Sequence, residues 1–295
     1  MLVCDKVLKN FLDEMTHDII REFPDQIVSV VLFGSATTRE WIRGKSDIDC
    51  IVLIKNRKMR KMVEESLDDI LIKLDGKYNL GLSETCTPYK KTTNPALNLI
   101  LKVESMVMFG RPFFVLAEDQ FDLKNAKIRH DLKIQIGLST LASLNMFLYR
   151  IKSTGMILYG KDIREDFPEP IPRIEKIKAS FNAILLLMMS FAILPYSAKT
   201  SFSHAVKANL WACDDVLSAF EKPLSTTFKE IQQVKKMFKG YDVEFKHLDE
   251  ALQYKRKIQT DNLTRLFVLK YLAKSTGFVI CLYIQTLKKM LWNKT

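Results

Sequence analysis

The sequence predicts an α+β protein in two parts: a mixed-sheet domain over residues 1–115 and an all-α helical bundle over residues 116–295. Three observations carry this reading. Short β-branched runs alternate with helical periodicity up to about residue 115, and only helical periodicity follows. Glycine (10) and proline (9) are sparse for a chain of 295 residues, which favours long helices over a turn-rich all-β fold. Charge divides at the same point, with 17 basic and 16 acidic residues in 1–115 against 28 and 18 in 116–295.

The elements follow in order. Apolar residues at Val7, Leu8, Phe11, Leu12, Met15, Ile19 and Ile20 predict a helix over Val7–Glu22, broken by Pro24–Asp25. Gln26–Phe33 is a β-branched run that predicts a buried strand, ended by Gly34–Ser35. Ile48–Ile54 predicts a second strand. Arg57–Leu74 has helical spacing and is expected to stop at Asp75–Gly76. Tyr78–Thr87 predicts a third strand ending at Pro88, and Asn94–Phe109 a helix closed by Gly110-Arg111-Pro112. Beyond residue 116 helical spacing covers Lys124–Ser153, Ile174–Leu194, Ser201–Phe220, Thr226–Phe238, Lys246–Gln259 and Leu263–Trp292. No strand is predicted there.

Composition excludes several classes. At 47% hydrophobic and 27% charged, the chain is neither disordered nor collagen-like. Its longest apolar stretch, Ala183–Leu194, is shorter than the roughly 20 residues a bilayer crossing needs, so no membrane partner is expected. Asp5, Asp13 and Glu14 argue against a signal peptide. Cysteines 4, 50, 86, 213 and 281 are odd in number and contain no CxxC pair. That argues against a disulfide framework or a zinc site and for a reducing, cytoplasmic compartment. The basic excess after residue 116 suits an anionic partner such as a nucleotide, RNA or an acidic surface; the alternative is a solvated basic helical surface. His17, His130, His204 and His247 form no HxH or HExxH pattern.

The stretch that carries chemistry runs from Phe33-Gly34-Ser35 to Ser46-Asp47-Ile48-Asp49. A strand enters a Gly-Ser turn, eleven residues follow, and Asp-x-Asp opens the next strand. Residues i and i+2 of a strand share a face, so Asp47 and Asp49 aim two carboxylates at one point. Two adjacent anions repel unless a cation joins them. Hard divalent ions take carboxylate oxygens together with substrate phosphates. Gly34 lets backbone approach a phosphate, Ser35 adds a hydroxyl, and a helix starting there would present free N–H groups to the same anion. Together these parts predict metal-dependent transfer at a nucleoside triphosphate.

On these residues the sequence resembles the DNA polymerase β-like nucleotidyltransferase superfamily, whose signature is an hG[GS] turn followed by [DE]h[DE] on the next strand. Phe33-Gly34-Ser35 and Asp47-Ile48-Asp49 match it, within a resemblance covering about residues 26–112. The form is that of kanamycin-type antibiotic nucleotidyltransferases and the small minimal nucleotidyltransferases. Many relatives carry Ala-Arg-Gly after Gly-Ser, where this chain has Ala36-Thr37-Thr38-Arg39. The resemblance implies a mixed, twisted sheet flanked by helices, Mg²⁺ (or Mn²⁺) held by carboxylates, and an NTP substrate, with ATP the expected one. It also implies a third carboxylate, for which Glu84, shortly before Thr87-Pro88, is the best candidate and Asp75 the rival. Arg39, Arg43 and Lys45 lie between turn and carboxylates; Arg39 and Lys45 are the candidates for triphosphate contact. The expected activity is transfer of an NMP to an acceptor hydroxyl with release of pyrophosphate. The acceptor is a small molecule, or RNA or protein. The alternative is a non-catalytic nucleotide-binding or assembly protein. Ala183–Leu194 and Leu263–Trp292 are expected to form the bundle core, with a homodimer as a further expectation.

Overall fold

A computed structural model describes residues 5–38, 40–44, 46–82, 98, 113–119, 121–122, 127–128, 144–167, 171–257 and 263–292. Contacts divide the chain into two compact units. The first includes Met1–Lys90 and Phe147–Pro170, the second Ile171–Thr295.

The first unit is built on a four-stranded mixed sheet. Helix α1 (Lys6–Glu22) starts at Asp5, whose carboxylate accepts from the backbone N–H groups of Val7 and Leu8. Strand β1 (Ile27–Phe33) pairs antiparallel with β2 (Asp49–Ile54). Helix α2 (Arg60–Tyr78) follows, then β3 (Phe113–Ala117), parallel to β2. Two-residue strands β4 (Phe121–Asp122) and β5 (Lys127–Ile128) pair with each other. Helix α3 (Leu144–Thr154) leads into β6 (Met156–Gly160), antiparallel to β1. One sheet face carries Val30, Leu32, Val52, Ile54 and Val115, packed against Phe11, Met15 and Ile19 of α1 and Val63, Leu67 and Leu74 of α2. On the other face the Phe147 ring of α3 meets Phe33 and Phe114. Covering both faces lets the central strands be almost wholly apolar.

The strands after β2 differ from the sequence reading. Tyr78 is the last residue of α2, not the start of a strand, and Asn79 caps the helix in the left-handed conformation. Gly76 does not stop the helix, because Leu71 and Leu74 already hold it on the core and Tyr78 continues the contact. The described sheet takes its remaining strands from Phe113–Ala117 and Met156–Gly160. Both are five-residue runs whose pairing with distant β2 and β1 outweighs weak local signals. β4, β5 and β6 all lie past residue 116, where the sequence predicts no strand, and β5 falls inside the helix predicted over Lys124–Ser153, so the sheet-bearing unit extends beyond that boundary. Gly160 has φ +76°, and a Cβ there would sit 2.0 Å from the Val28 carbonyl oxygen; only glycine closes this pairing.

The second unit is helical: α4 (Arg173–Ile193), α5 (Ala198–Ala219), α6 (Thr227–Met237), α7 (Lys246–Lys257) and α8 (Arg265–Trp292). Its centre is α5, buried along most of its length, rather than the expected pair α4 and α8. Both of those pack on α5, and by length and composition each is long and apolar enough to cross a bilayer, yet each is partly buried in the bundle. Leucine and alanine at the α5 core positions allow this close packing from several sides. A polar cluster crosses the core. The Asn209 amide donates to the Ala205 carbonyl (3.0 Å) and the Ser275 hydroxyl (2.9 Å), and His247 Nε2 lies 3.0 Å from the same hydroxyl.

Burial lowers the His247 pKa, and Glu250, 3.6 Å from Nδ1, offsets this only in part. The folded chain therefore holds His247 neutral where the unfolded chain, titrating near 6.5, takes up a proton. Its contribution to stability is complete above pH 6.5 and is lost as pH falls toward the folded-state value. Denaturant midpoints should fall between pH 7 and pH 5, and His247→Gln should flatten that slope. Glu14 and Asp18, whose pKa values are lowered in the fold, act only at lower pH, from 4.5 and 3.8 down. An unchanged slope in His247→Gln would remove the histidine from this account.

Candidate active site

Strand β1 ends at Phe33, paired with Asp49 at the start of β2. Gly34 then turns the chain with φ +74° into a four-residue 3₁₀ turn, Gly34–Thr37. This is shorter than the helix the sequence suggested at this point. The turn is closed by its own side chains: the Thr37 hydroxyl donates to the Gly34 carbonyl (2.8 Å) and the Thr38 hydroxyl to the Ser35 carbonyl (3.0 Å). These residues follow the Gly-Ser where many relatives have Arg-Gly, so threonine hydroxyls here fix the turn. The Ser35 hydroxyl oxygen is itself buried and makes no hydrogen bond among the described residues.

A Cβ on Gly34 would lie 2.8 Å from Asp49 Oδ2. The glycine and the carboxylate therefore touch, and no larger residue fits between them. Ile48 is fully buried, while Asp47 and Asp49 on either side of it are half-buried. Burial alternates across Ile48, but Asp49 opens β2 while Asp47 lies two residues before the strand, so only Asp49 sits in its pleat.

The loop before Asp47 is fastened to the end of α2. Arg43 donates from Nε to the Asn79 carbonyl (2.7 Å) and from Nη2 to the Tyr78 carbonyl (2.6 Å). A cation at the last carbonyls of a helix is favourable there. The Gly44 N–H donates to the Leu80 carbonyl (2.8 Å), and a Cβ on Gly81 would meet Gly44 Cα at 2.9 Å. Asp75, nearly fully buried, accepts from the backbone N–H groups of Leu80 (3.1 Å) and Leu82 (3.0 Å). Ser46 closes the loop on itself through two bonds with Ile42. Arg43 and Asp75 thus hold the backbone that delivers the acids. The sequence marked the turn chemistry of Asp75 but not its reach to Leu82.

The structure sets the Gly34–Ser35 turn against Asp49, with Asp47 two residues before Asp49 in the chain. Arg39, Lys45 and Glu84 lie outside the described residues. Among the described residues no third Asp, Glu, His or Cys joins the pair to make a metal-holding cluster. The pair still fits a magnesium ion, which takes one or two carboxylates and leaves its other positions to phosphate oxygens and water. The donors are all oxygen, Asp49 stands beside a glycine turn, and the buried Ser35 hydroxyl is left for an anion to engage.

Residues 14–110 match the nucleotidyltransferase domain family. A Methanocaldococcus jannaschii protein named for protein adenylyltransferase activity is 32% identical over 84 residues, 27% of this chain. The match spans about half (54%) of that protein's length. The crystal structure of spectinomycin adenyltransferase from Enterococcus faecialis with ATP and spectinomycin superposes with a TM-score of 0.47 at 12% identity. It covers 90% of this chain and 98% of its own.

Proposed function

Because residues 14–110 are a nucleotidyltransferase domain of the DNA polymerase β-like superfamily, we propose that the chain transfers AMP from ATP to an acceptor hydroxyl and releases pyrophosphate. The observation that carries this is the contact of Gly34 with the Asp49 carboxylate, which sets a glycine turn and an acid side by side, as a phosphate and a metal held together would need. In the reaction the acceptor oxygen bonds to the α-phosphorus and the bond from that phosphorus to the β-phosphate bridge oxygen breaks. The acceptor proton leaves to a base, and pyrophosphate departs. Asp47 and Asp49 would hold the metal, and Glu84 is the proposed third carboxylate and proton acceptor. A bound magnesium or manganese ion supplies charge neutralisation at the triphosphate. The Gly34–Ser35 turn orients the phosphates, with Ser35 donating its free hydroxyl and Arg39 or Lys45 adding positive charge. The archaeal relative's name supports ATP as the donor and a protein hydroxyl as one acceptor class; a small hydroxylated molecule is the other. A reducing, cytoplasmic setting is proposed for the reaction on the odd number and scattered spacing of the cysteines.

The test is to incubate the chain with magnesium and ATP labelled at the α-phosphate, separately with pooled hydroxylated small molecules, tRNA and protein. Label should move to one pool with pyrophosphate released in equal amount. Label that stays on ATP in every pool, with no metal-dependent pyrophosphate, would sink the proposal.

A further inference from the structure

Helix α8 is apolar on two sides. One side, with Val268, Leu272, Val279 and Leu282, is buried, and Ser275 and Tyr283 hydrogen-bond to Asn209 and Asp215 of α5. On the other side a second row advances in steps of three and four residues along the same helix. Leu266 and Leu269 open it, and Ile280, Ile284, Leu287 and Leu291 continue it. These side chains are exposed, Leu266 by 61%, Ile284 by 47% and Leu291 by 67%. The row exposes several hundred Å², more than scattered surface leucines account for and near the about 800 Å² that a standard interface takes from each partner.

The middle of the row is small. Ala273 and Gly277 occupy the two steps between Leu269 and Ile280, and a Cβ on Gly277 would meet nothing within 4 Å. The row therefore has a dent with large residues on both sides. Laid antiparallel on itself, such a row matches itself. Ala273 comes opposite Gly277 of the partner subunit, and Leu266 opposite Ile284 of the partner subunit. Small faces small at the crossing and large faces large beside it, which is the self-complementarity a two-fold interface demands. A lipid surface would be indifferent to the dent.

We propose that this face of α8 is covered by the same face of a second copy of the chain, the two helices crossing at Ala273 and Gly277. One further feature makes the occupant distinguishable. Arg265, Lys270, Lys274 and Lys288 are exposed on the helix, and no Asp or Glu occurs from 263 to 295. Pairing two copies brings these cations nearer each other, so the dimer should tighten as salt screens them. An anionic membrane or an acidic partner would be bound more weakly at high salt.

Sedimentation velocity of the full chain across the micromolar range, at low and high salt, tests this. The expected result is a dimer that strengthens with salt. Gly277→Leu should raise its dissociation constant at least about ten-fold, equivalent to about 1.4 kcal/mol. That variant adds apolar surface and removes a helix-interior glycine, so it should fold at least as well while wedging the crossing apart. Ile284→Lys should also yield monomer, and adding Leu266→Glu should restore the dimer through the opposed pair. Three outcomes overturn the proposal: a monomer at every concentration, a dimer as strong or stronger in Gly277→Leu, or flotation of the chain with anionic vesicles that fades with salt while the chain stays monomeric.

Discussion

Asparagine in place of Asp49 should lower nucleotidyl transfer by about 10²–10³-fold or more, with the melting temperature within about 4 °C of the native chain's. Asn has nearly the size and shape of Asp, so the contact with Gly34 survives and the β1–β2 register is undisturbed. What disappears is the negative charge at the mouth of the turn. On the proposed reaction a divalent ion would then lose one of the two carboxylates proposed to hold it, and with it the charge that would order the phosphate oxygens. Pyrophosphate release measured over a range of magnesium concentrations gives the answer. Chelating the metal should reduce the native chain to the level of the variant and change the variant little. If Asp49→Asn keeps more than about a tenth of native activity at saturating magnesium, the charge at this position is not what the reaction uses.

Gly34→Ala should cost more stability than any surface change and lower activity by about 10²-fold. Two effects combine. An L-residue at φ +74° is strained by about 1–2 kcal/mol, and the new methyl would stand 2.8 Å from Asp49 Oδ2, so the carboxylate must move. Gly44 separates the two. It has nearly the same φ, +70°, but nothing lies within 4 Å of an added Cβ. Gly44→Ala should therefore show the backbone cost alone, about 1–2 kcal/mol, with transfer close to native. Melting curves and kcat/KM for both variants decide the matter. Equal losses of activity in the two would mean that the glycine contact with Asp49 is not what positions the acid.

Much of the site could be read in the sequence, because it is written in local terms. The β1 and β2 runs are β-branched, short and bounded by turn residues, and the structure places them within a residue of the sequence reading. The Asp-x-Asp spacing marks where β2 begins, although only Asp49 of the two lies in the strand. The bundle helices were equally legible from the spacing of their apolar residues. Failures came where long-range contacts decide. Phe113–Ala117 is a strand because β2 accepts it in parallel, and Met156–Gly160 because β1 has a free edge; neither run is long enough to declare itself. The role of Arg43 was similarly hidden. A basic residue in a phosphate-binding loop suggests a phosphate ligand, but its guanidinium is committed to two carbonyls of α2. The meeting of Gly34 and Asp49 spans fifteen positions, and a motif names its two members without saying that one is shaped to admit the other.

Strand β6 has a consequence for biosynthesis. During translation β1 and β2 leave the ribosome early and can pair at once, yet the outer edge of β1 has no strand to meet until Gly160 has been made. At about 5–20 residues per second, the roughly one hundred residues between β2 and β6 take some 5–20 s to appear. For that interval the nascent chain presents an apolar edge, with Val30 and Val31 near its middle, to anything that can add a strand. A shortened chain ending near residue 115 would keep that edge open permanently. The nucleotide-handling part of this protein is therefore not a detachable cassette: its sheet is sealed only by a strand delivered late, and Gly160 is where the seal closes.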